Sequence, residues 1–192
     1  MKRVKKLLFL LSLLYTTVYV PLFLMIYFPN WYLINCRWHP RCELFGKDKT
    51  LVAVEELTSF FRHSGELSSM WTRKERLHLS EVRGIFDRLA IIAVVSAFLI
   101  ALTFDARYVS LFSLINVSVV VSLLIVLPFF NWFWIDVFHP LLFDNELWKN
   151  NMRDVSFYIM PRQFFKFSIL FIVFISCFIN LILWFCFKNK RR

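Results

Sequence analysis

Two histidines in this chain of 192 residues each stand three residues from a carboxylate: His78 before Glu81, and His139 after Asp136. Residues three apart on a helix share nearly one face. Each carboxylate could therefore fix the imidazole's tautomer and raise its basicity, as a general base requires. The chemistry that fits is proton transfer at neutral pH. The plainer alternative is a pair of interfacial histidines that only hydrogen-bond to lipid headgroups. No Gly-x-Ser-x-Gly surrounds any serine, so a hydrolase's serine nucleophile is not indicated. There is also no glycine-rich phosphate loop, and no motif implies a cofactor.

The elements that must position these histidines are set by composition. Hydrophobic residues make up 59% of the chain, with 24 Phe, 7 Trp and only 3 Gly. A soluble domain of this size could not bury that much apolar surface. A spanning helix needs roughly 20 mostly apolar residues to cross about 30 Å of hydrocarbon. Four stretches free of Asp, Glu, Lys and Arg qualify: 7–28, 89–104, 108–134 and 167–187. The second is short, but Arg88 and Arg107 can snorkel outward and extend it. The fold expected is all-α: one integral membrane domain over 1–192, a four-helix transmembrane bundle with short extracytoplasmic interfacial helices.

Charge gives the orientation. Lys2, Arg3, Lys5 and Lys6 at the head, with Lys188, Lys190, Arg191 and Arg192 at the tail, supply +8 of the net +10. The segments between spans carry nearly balanced charge. Unopposed Lys and Arg beside spans stay in the cytoplasm, so both termini are expected inside, with segments 29–88 and 135–166 outside. The basic balance is thus a topology signal and no nucleic-acid footprint. The first apolar run is too long for a cleaved signal region and lacks a small-x-small site, so a retained anchor is expected.

All four histidines then fall outside, with His78 and His139 at similar depth, near the level of lipid ester carbonyls. Asp105, Ala106 and Arg107 form a tight turn that pairs the middle spans as an antiparallel hairpin. In the first outer segment, Leu51, Val54, Leu57 and Phe61 have helical spacing. Thr72 with Glu75 three residues on is the capping-box pattern for a helix running into the second span. The second outer segment is broken by Pro140 and Pro161. Trp71, Phe143, Leu147, Trp148, Phe157 and Phe164 suit the headgroup boundary. Cys36 and Cys42 bracket a short loop on the oxidising side, so a disulfide is the first reading. A metal site with His39 is the alternative, although only three ligands are visible and no second cluster exists. Cys177 and Cys186 read as packing residues.

Two blocks carry a resemblance. Glu75-Arg76-Leu77-His78-Leu79-Ser80-Glu81-Val82-Arg83, followed by Ile85-Phe86, is one. Phe138-His139-Pro140-Leu141-Leu142-Phe143-Asp144-Asn145-Glu146-Leu147-Trp148, with a later Pro161-x-x-Phe164-Phe165, is the other. In this order, on four spans, they resemble the lipoprotein intramolecular transacylase family of Gram-positive bacteria. That resemblance implies an acyltransferase of the cell membrane. It would move the sn-2 acyl chain of a diacylglyceryl-modified lipoprotein to the α-amino group of the same N-terminal cysteine, giving the lyso form. It further implies His139 as the base, oriented by Asp136, and His78 as the acid or oxyanion stabiliser, paired with Glu81. Asn145 and Arg76 or Arg83 become candidates for oxyanion or headgroup contacts. Trp148 is a supporting residue, with an interface anchor as its plainer reading. The partners implied are a diacylated lipoprotein and membrane lipids, with no metal or cofactor, and a monomer is expected.

A reading from another class stays beside it: a non-enzymatic membrane factor, an assembly partner or sensor that binds lipids or lipoproteins. Convergence of His78 and His139 on one site separates the two. A transporter fits poorly, because only Asn116, Asn131 and Asn180 offer strong polar groups within the spans.

Overall fold

The structure is a computed structural model that describes residues 2–191. Arg192 of the basic tail lies outside them, as do the side chains of Lys2 and Arg191. The helices in chain order are α1 (Lys2–Tyr27), α2 (Pro29–Cys36), α3 (Arg41–Phe45), α4 (Lys47–Phe61), α5 (Arg73–Thr103), α6 (Ala106–Ser122), α7 (Phe130–Trp132), α8 (His139–Leu142), α9 (Val155–Ile159) and α10 (Arg162–Phe187). A 3-10 turn (Leu123–Val126) follows α6, and a π-helix (Phe133–Phe138) joins α7 to α8. No strand occurs among the described residues. Four helices are long and apolar enough to cross a membrane, within Arg3–Tyr27, Arg73–Thr103, Ala106–Val126 and Arg162–Lys190. The all-α, four-span architecture is therefore as expected, and the protein is a multi-pass membrane protein.

The third span ends earlier than 108–134 suggested. Pro128 supplies no N–H and its ring clashes with the carbonyl four residues back. The helix accordingly tightens at Leu123–Val126, and Phe129 and Phe130 make turn bonds to the carbonyls of Val126 and Leu127. Apolarity alone did not reveal this break.

By its contacts the chain forms two compact units. The first comprises Met1–Phe23, Asp87–Ile125 and Ile169–Arg192. Its core is Phe9, Leu13, Val109 and Phe112, with Leu10, Ile100, Tyr108, Leu183 and Phe187 packed against it. Helix termini and polar side chains supply its specific contacts. Tyr15 donates to the Leu89 carbonyl at 2.7 Å and Ser176 to the Thr17 carbonyl at 3.1 Å. Asp105 caps α6 by accepting from the Arg107 N–H, and also pairs with the Arg107 guanidinium at 2.8 Å. This is the tight turn read from the sequence. Outward along α5, Ile91, Val94, Phe98 and Leu102 are exposed, as residues facing lipid must be.

The second unit comprises Leu24–Phe86 and Val126–Ser168. Its core holds Trp31, Tyr32, Ala53, Val54, Leu57, Phe60, Phe61, Trp71, Leu79, Val155, Ile159 and Phe164. Here α4 forms as expected, but its buried face is Thr50, Ala53, Val54, Leu57, Thr58, Phe60 and Phe61, and Leu51 is exposed. Trp71 and Phe164 are core residues and not headgroup anchors. Trp71 donates to Glu56 at 2.9 Å, and Phe164 stacks on Tyr32 at 5.1 Å. Cys36 and Cys42 are joined as a disulfide, which removes both thiolates from any metal set. Beside it, the Arg41 guanidinium lies over the Phe157 ring and donates to the Phe157 carbonyl at 3.0 Å, tying α3 to α9.

Candidate functional site

The capping box at Thr72 and Glu75 is complete. Thr72 N–H and Oγ1 donate to Glu75 Oε2 at 3.0 and 2.9 Å, and Glu75 N–H returns a bond to Thr72 Oγ1. It fixes where α5 starts, and so which face carries His78. Glu75 does more than cap. Its other oxygen accepts both Ser156 N–H and Ser156 Oγ at 2.7 Å. Asp154, 2% exposed, accepts from Lys74 Nζ and the Asn151 N–H, and its Oδ1 lies 3.0 Å from Thr72 Oγ1 as a second acceptor for the one hydroxyl hydrogen. Lys74 Nζ also donates to the Lys149 carbonyl at 2.6 Å. The segment 149–156 is thereby fastened to the first turn of α5.

That fastening brings the two histidines to one aromatic ring. His78 meets Phe143 edge-on at 4.7 Å between centroids, and His139 lies 6.0 Å from the same ring. His139 is 5% exposed and stacks on Trp148 at 4.1 Å, with Trp134 edge-on at 4.6 Å and Phe138 at 5.5 Å. Its Nδ1 lies 2.6 Å from the Trp134 carbonyl oxygen. A carbonyl only accepts, so Nδ1 carries the proton and Nε2 keeps its lone pair. Burial pushes the His139 pKa down from its ordinary value, and the Trp134 carbonyl opposes this in part. The ring is thus neutral at neutral pH, with Nε2 as the acceptor.

His78 Nδ1 lies 3.6 Å from Glu81 Oε2, too far for a hydrogen bond yet close enough for an ion pair with the protonated ring. Glu81 is held from its other oxygen by Asn145 Nδ2 at 2.9 Å, and Asn145 Oδ1 accepts the Leu147 N–H. Burial pushes the His78 pKa down, Glu81 opposes this in part, and a charge on His139 would lower it further. One shared positive charge is therefore favoured over two. Such a pair can take a proton at one nitrogen and deliver one at another.

Not every expected residue is here. Asp136 is exposed and makes no hydrogen bond or ion pair among the described residues. The π-helical winding of Phe133–Phe138 is the reason. Its i→i+5 bonding puts more residues in each turn, so residues three apart fall further short of a common face than in an α-helix. The same winding sets the Trp134 carbonyl, five residues back, beneath His139. Arg76 and Arg83 also lie elsewhere. At 3.6 residues per turn they point to the side of α5 away from His78. There Arg76 donates to the Ser68 carbonyl, and Arg83 covers the Phe60 ring at 4.0 Å. His39 and His63 take no part in the cluster. Sequence reasoning missed the Trp134 carbonyl, the shared Phe143 ring and the Asp154 network. Only the capping box pointed toward the last of these, and it named Thr72 and Glu75 without Asp154 or Ser156.

The family model described as lipoprotein intramolecular transacylase Lit matches residues 7–165. The fold is similar to that of a solved Bacillus cereus membrane integral lipoprotein intramolecular transacylase, with a TM-score of 0.80 at 15% identity over 98% of this chain and 95% of that one. Two further structures of the Bacillus cereus protein, in which one histidine is replaced by alanine or by arginine, match with a TM-score of 0.77 at 16% identity. They cover 98% of this chain and 93% and 91% of theirs. A sequence comparison with curated proteins finds no match. With more than four-fifths of its length matched by that family model, the chain belongs to the lipoprotein intramolecular transacylase family.

Proposed function

We infer that the histidine pair catalyses transfer of the sn-2 acyl chain of a diacylglyceryl lipoprotein to the α-amino group of its N-terminal cysteine. The observation that carries this is the fixed tautomer of His139, which leaves Nε2 as acceptor on a buried ring that shares Phe143 with a second imidazole. The amine nitrogen attacks the ester carbonyl to give a tetrahedral oxyanion, while His139 Nε2 removes a proton from that nitrogen. Collapse breaks the carbon–oxygen bond, and the glycerol oxygen takes a proton from the His78 imidazolium. One ester bond is lost, one amide bond is gained, and the proton passes from nitrogen to oxygen. Proton exchange between the rings and solvent resets the pair.

No enzyme nucleophile is needed, because the reacting amine and ester belong to one molecule. Holding them in near-attack geometry supplies up to about 7–11 kcal/mol of the barrier. Glu81, held by Asn145, balances the His78 charge, and Trp148 fixes the His139 ring plane. The substrate approaches from the extracytoplasmic leaflet, with both termini of the enzyme in the cytoplasm, in line with the basic head and tail. The enzyme works as a monomer.

The test is mass spectrometry of a lipoprotein's N-terminal peptide from cells with the protein, without it, and with His139→Ala. An N-acyl, monoacylglyceryl cysteine should appear only with the intact protein. Unchanged diacylglyceryl cysteine in all three, with expression confirmed, refutes the assignment.

A further inference from the structure

The face of α5 opposite the histidines has its own pattern. Arg73, Arg76, Ser80 and Arg83 recur every three or four residues and form one stripe. They line a shallow open cavity of about 280 Å3 with Leu77, above a floor of Phe60 and Leu67, and Glu66 is its single carboxylate. Glu66 makes no ion pair with any of the three arginines among the described residues. Arg76 and Arg83 touch only carbonyls and a ring, which leaves their charge uncompensated. Three guanidinium groups and a hydroxyl on one wall suit a doubly coordinated phosphate oxygen pair better than a lone carboxylate.

The position narrows the ligand. Arg83 lies six residues, about 9 Å, along α5 before Leu89, where the apolar stretch begins. That is headgroup depth when the apolar stretch lies in hydrocarbon. Below it α5 presents exposed Ile91, Val94 and Phe98, a surface for acyl chains. A soluble anion would have no use for that continuation. We propose that this cavity binds the phosphodiester of an anionic phospholipid, as a site separate from the acyl-transfer site. This ligand is not the reacting molecule. The diacylglyceryl modification of a lipoprotein carries no phosphate, so the stripe recognises a chemistry that the histidine site does not. The inference rests on α5 crossing the membrane and not on the roles of the histidines.

The experiment is native mass spectrometry of the full chain in detergent, titrated with phosphatidylglycerol, with diacylglycerol of the same chains, and with inorganic phosphate as competitor. The wild type and His139→Ala should each retain one phosphatidylglycerol at concentrations where diacylglycerol is not retained. Arg73→Gln with Arg76→Gln, both exposed positions, should weaken that retention about tenfold or more without moving the thermal midpoint. Equal retention of diacylglycerol, or unchanged retention in the double variant, overturns the proposal. Displacement by inorganic phosphate at lipid-like concentration overturns it too, in favour of a soluble-anion site. Because His139→Ala is expected to bind normally, failure here is distinguishable from failure of the catalytic assignment.

Discussion

Replacing Glu75 by alanine should loosen the site without touching either histidine. Glu75 is 2% exposed and accepts four hydrogen bonds, two from Thr72 and two from Ser156. Hydrogen bonds to charged acceptors contribute about 1.5–3 kcal/mol each, and a stranded buried donor costs about 1–3 kcal/mol. The hydroxyls of Thr72 and Ser156 can turn to other acceptors, but their backbone N–H groups cannot. The buried carboxylate's own desolvation is returned when it is removed. The net destabilisation is therefore about 3–5 kcal/mol, and for a chain of this size the thermal midpoint falls by roughly 6–20 °C. Glu75→Gln keeps one carbonyl oxygen for Ser156 but turns an amide toward the Thr72 N–H, so its loss should be about half as large. Thermal unfolding in detergent measures the global effect, and hydrogen exchange over residues 149–157 measures the local one. Lyso-form yield at a temperature where the variant stays folded should fall, since Trp148 and His139 lose their register with His78. A midpoint within about 2 °C of wild type, with unchanged exchange over 149–157, refutes the reasoning.

The rate of lyso-form production should fall with acidification only below about pH 6.5, because burial lowers the pKa of His139, the proposed base. The same shift bears on stability: a group whose folded pKa is depressed stabilises fully above its unfolded value, and that contribution is lost as pH falls through the folded one. A melt series from pH 7.5 to about 5 checks the sign. Trp148→Ala opens the stacked face of His139 to water, so free fatty acid should be released alongside N-acyl cysteine, read by mass spectrometry of both products. Cys36→Ser with Cys42→Ser removes a short covalent loop, worth about 2 kcal/mol by chain entropy, and should lower the midpoint by roughly 4–8 °C while His78 and His139 remain in place.

The four spans were legible because apolar runs free of charge have few other uses in a chain this size. The start of α5 was legible because a capping box is a local pattern of two residues that bond to each other. The pairing of His78 with Glu81 was legible for the same reason, since both stand on a regular α-helix. Asp136 failed where regularity failed. Its expected place beside His139 assumed an α-turn, and Pro128 followed by π-winding gives a different angular step. Likewise Asp154 lies near nothing in sequence that it touches on α5. A contact across some 80 residues has no periodic signature, and a buried carboxylate in a loop reads like a solvated one until its donors are seen.

The irregular backbone also suits His139 to the base role proposed for it. A carboxylate on Nδ1, as Asp136 would have provided, favours the imidazolium and raises the ring's affinity for a proton. The Trp134 carbonyl fixes the same tautomer with a dipole and no formal charge. In a pocket walled by Trp134, Phe138, Phe143 and Trp148, that difference lets burial keep the ring neutral and ready to accept. The counter-charge stands instead at His78, where Glu81 is partly exposed and held by Asn145. Burial lowers the pKa of both imidazoles, but at His78 a carboxylate opposes it with a formal charge, and at His139 a carbonyl opposes it only with a dipole. That division suits a transfer in which nitrogen must lose a proton and oxygen must gain one within a single encounter.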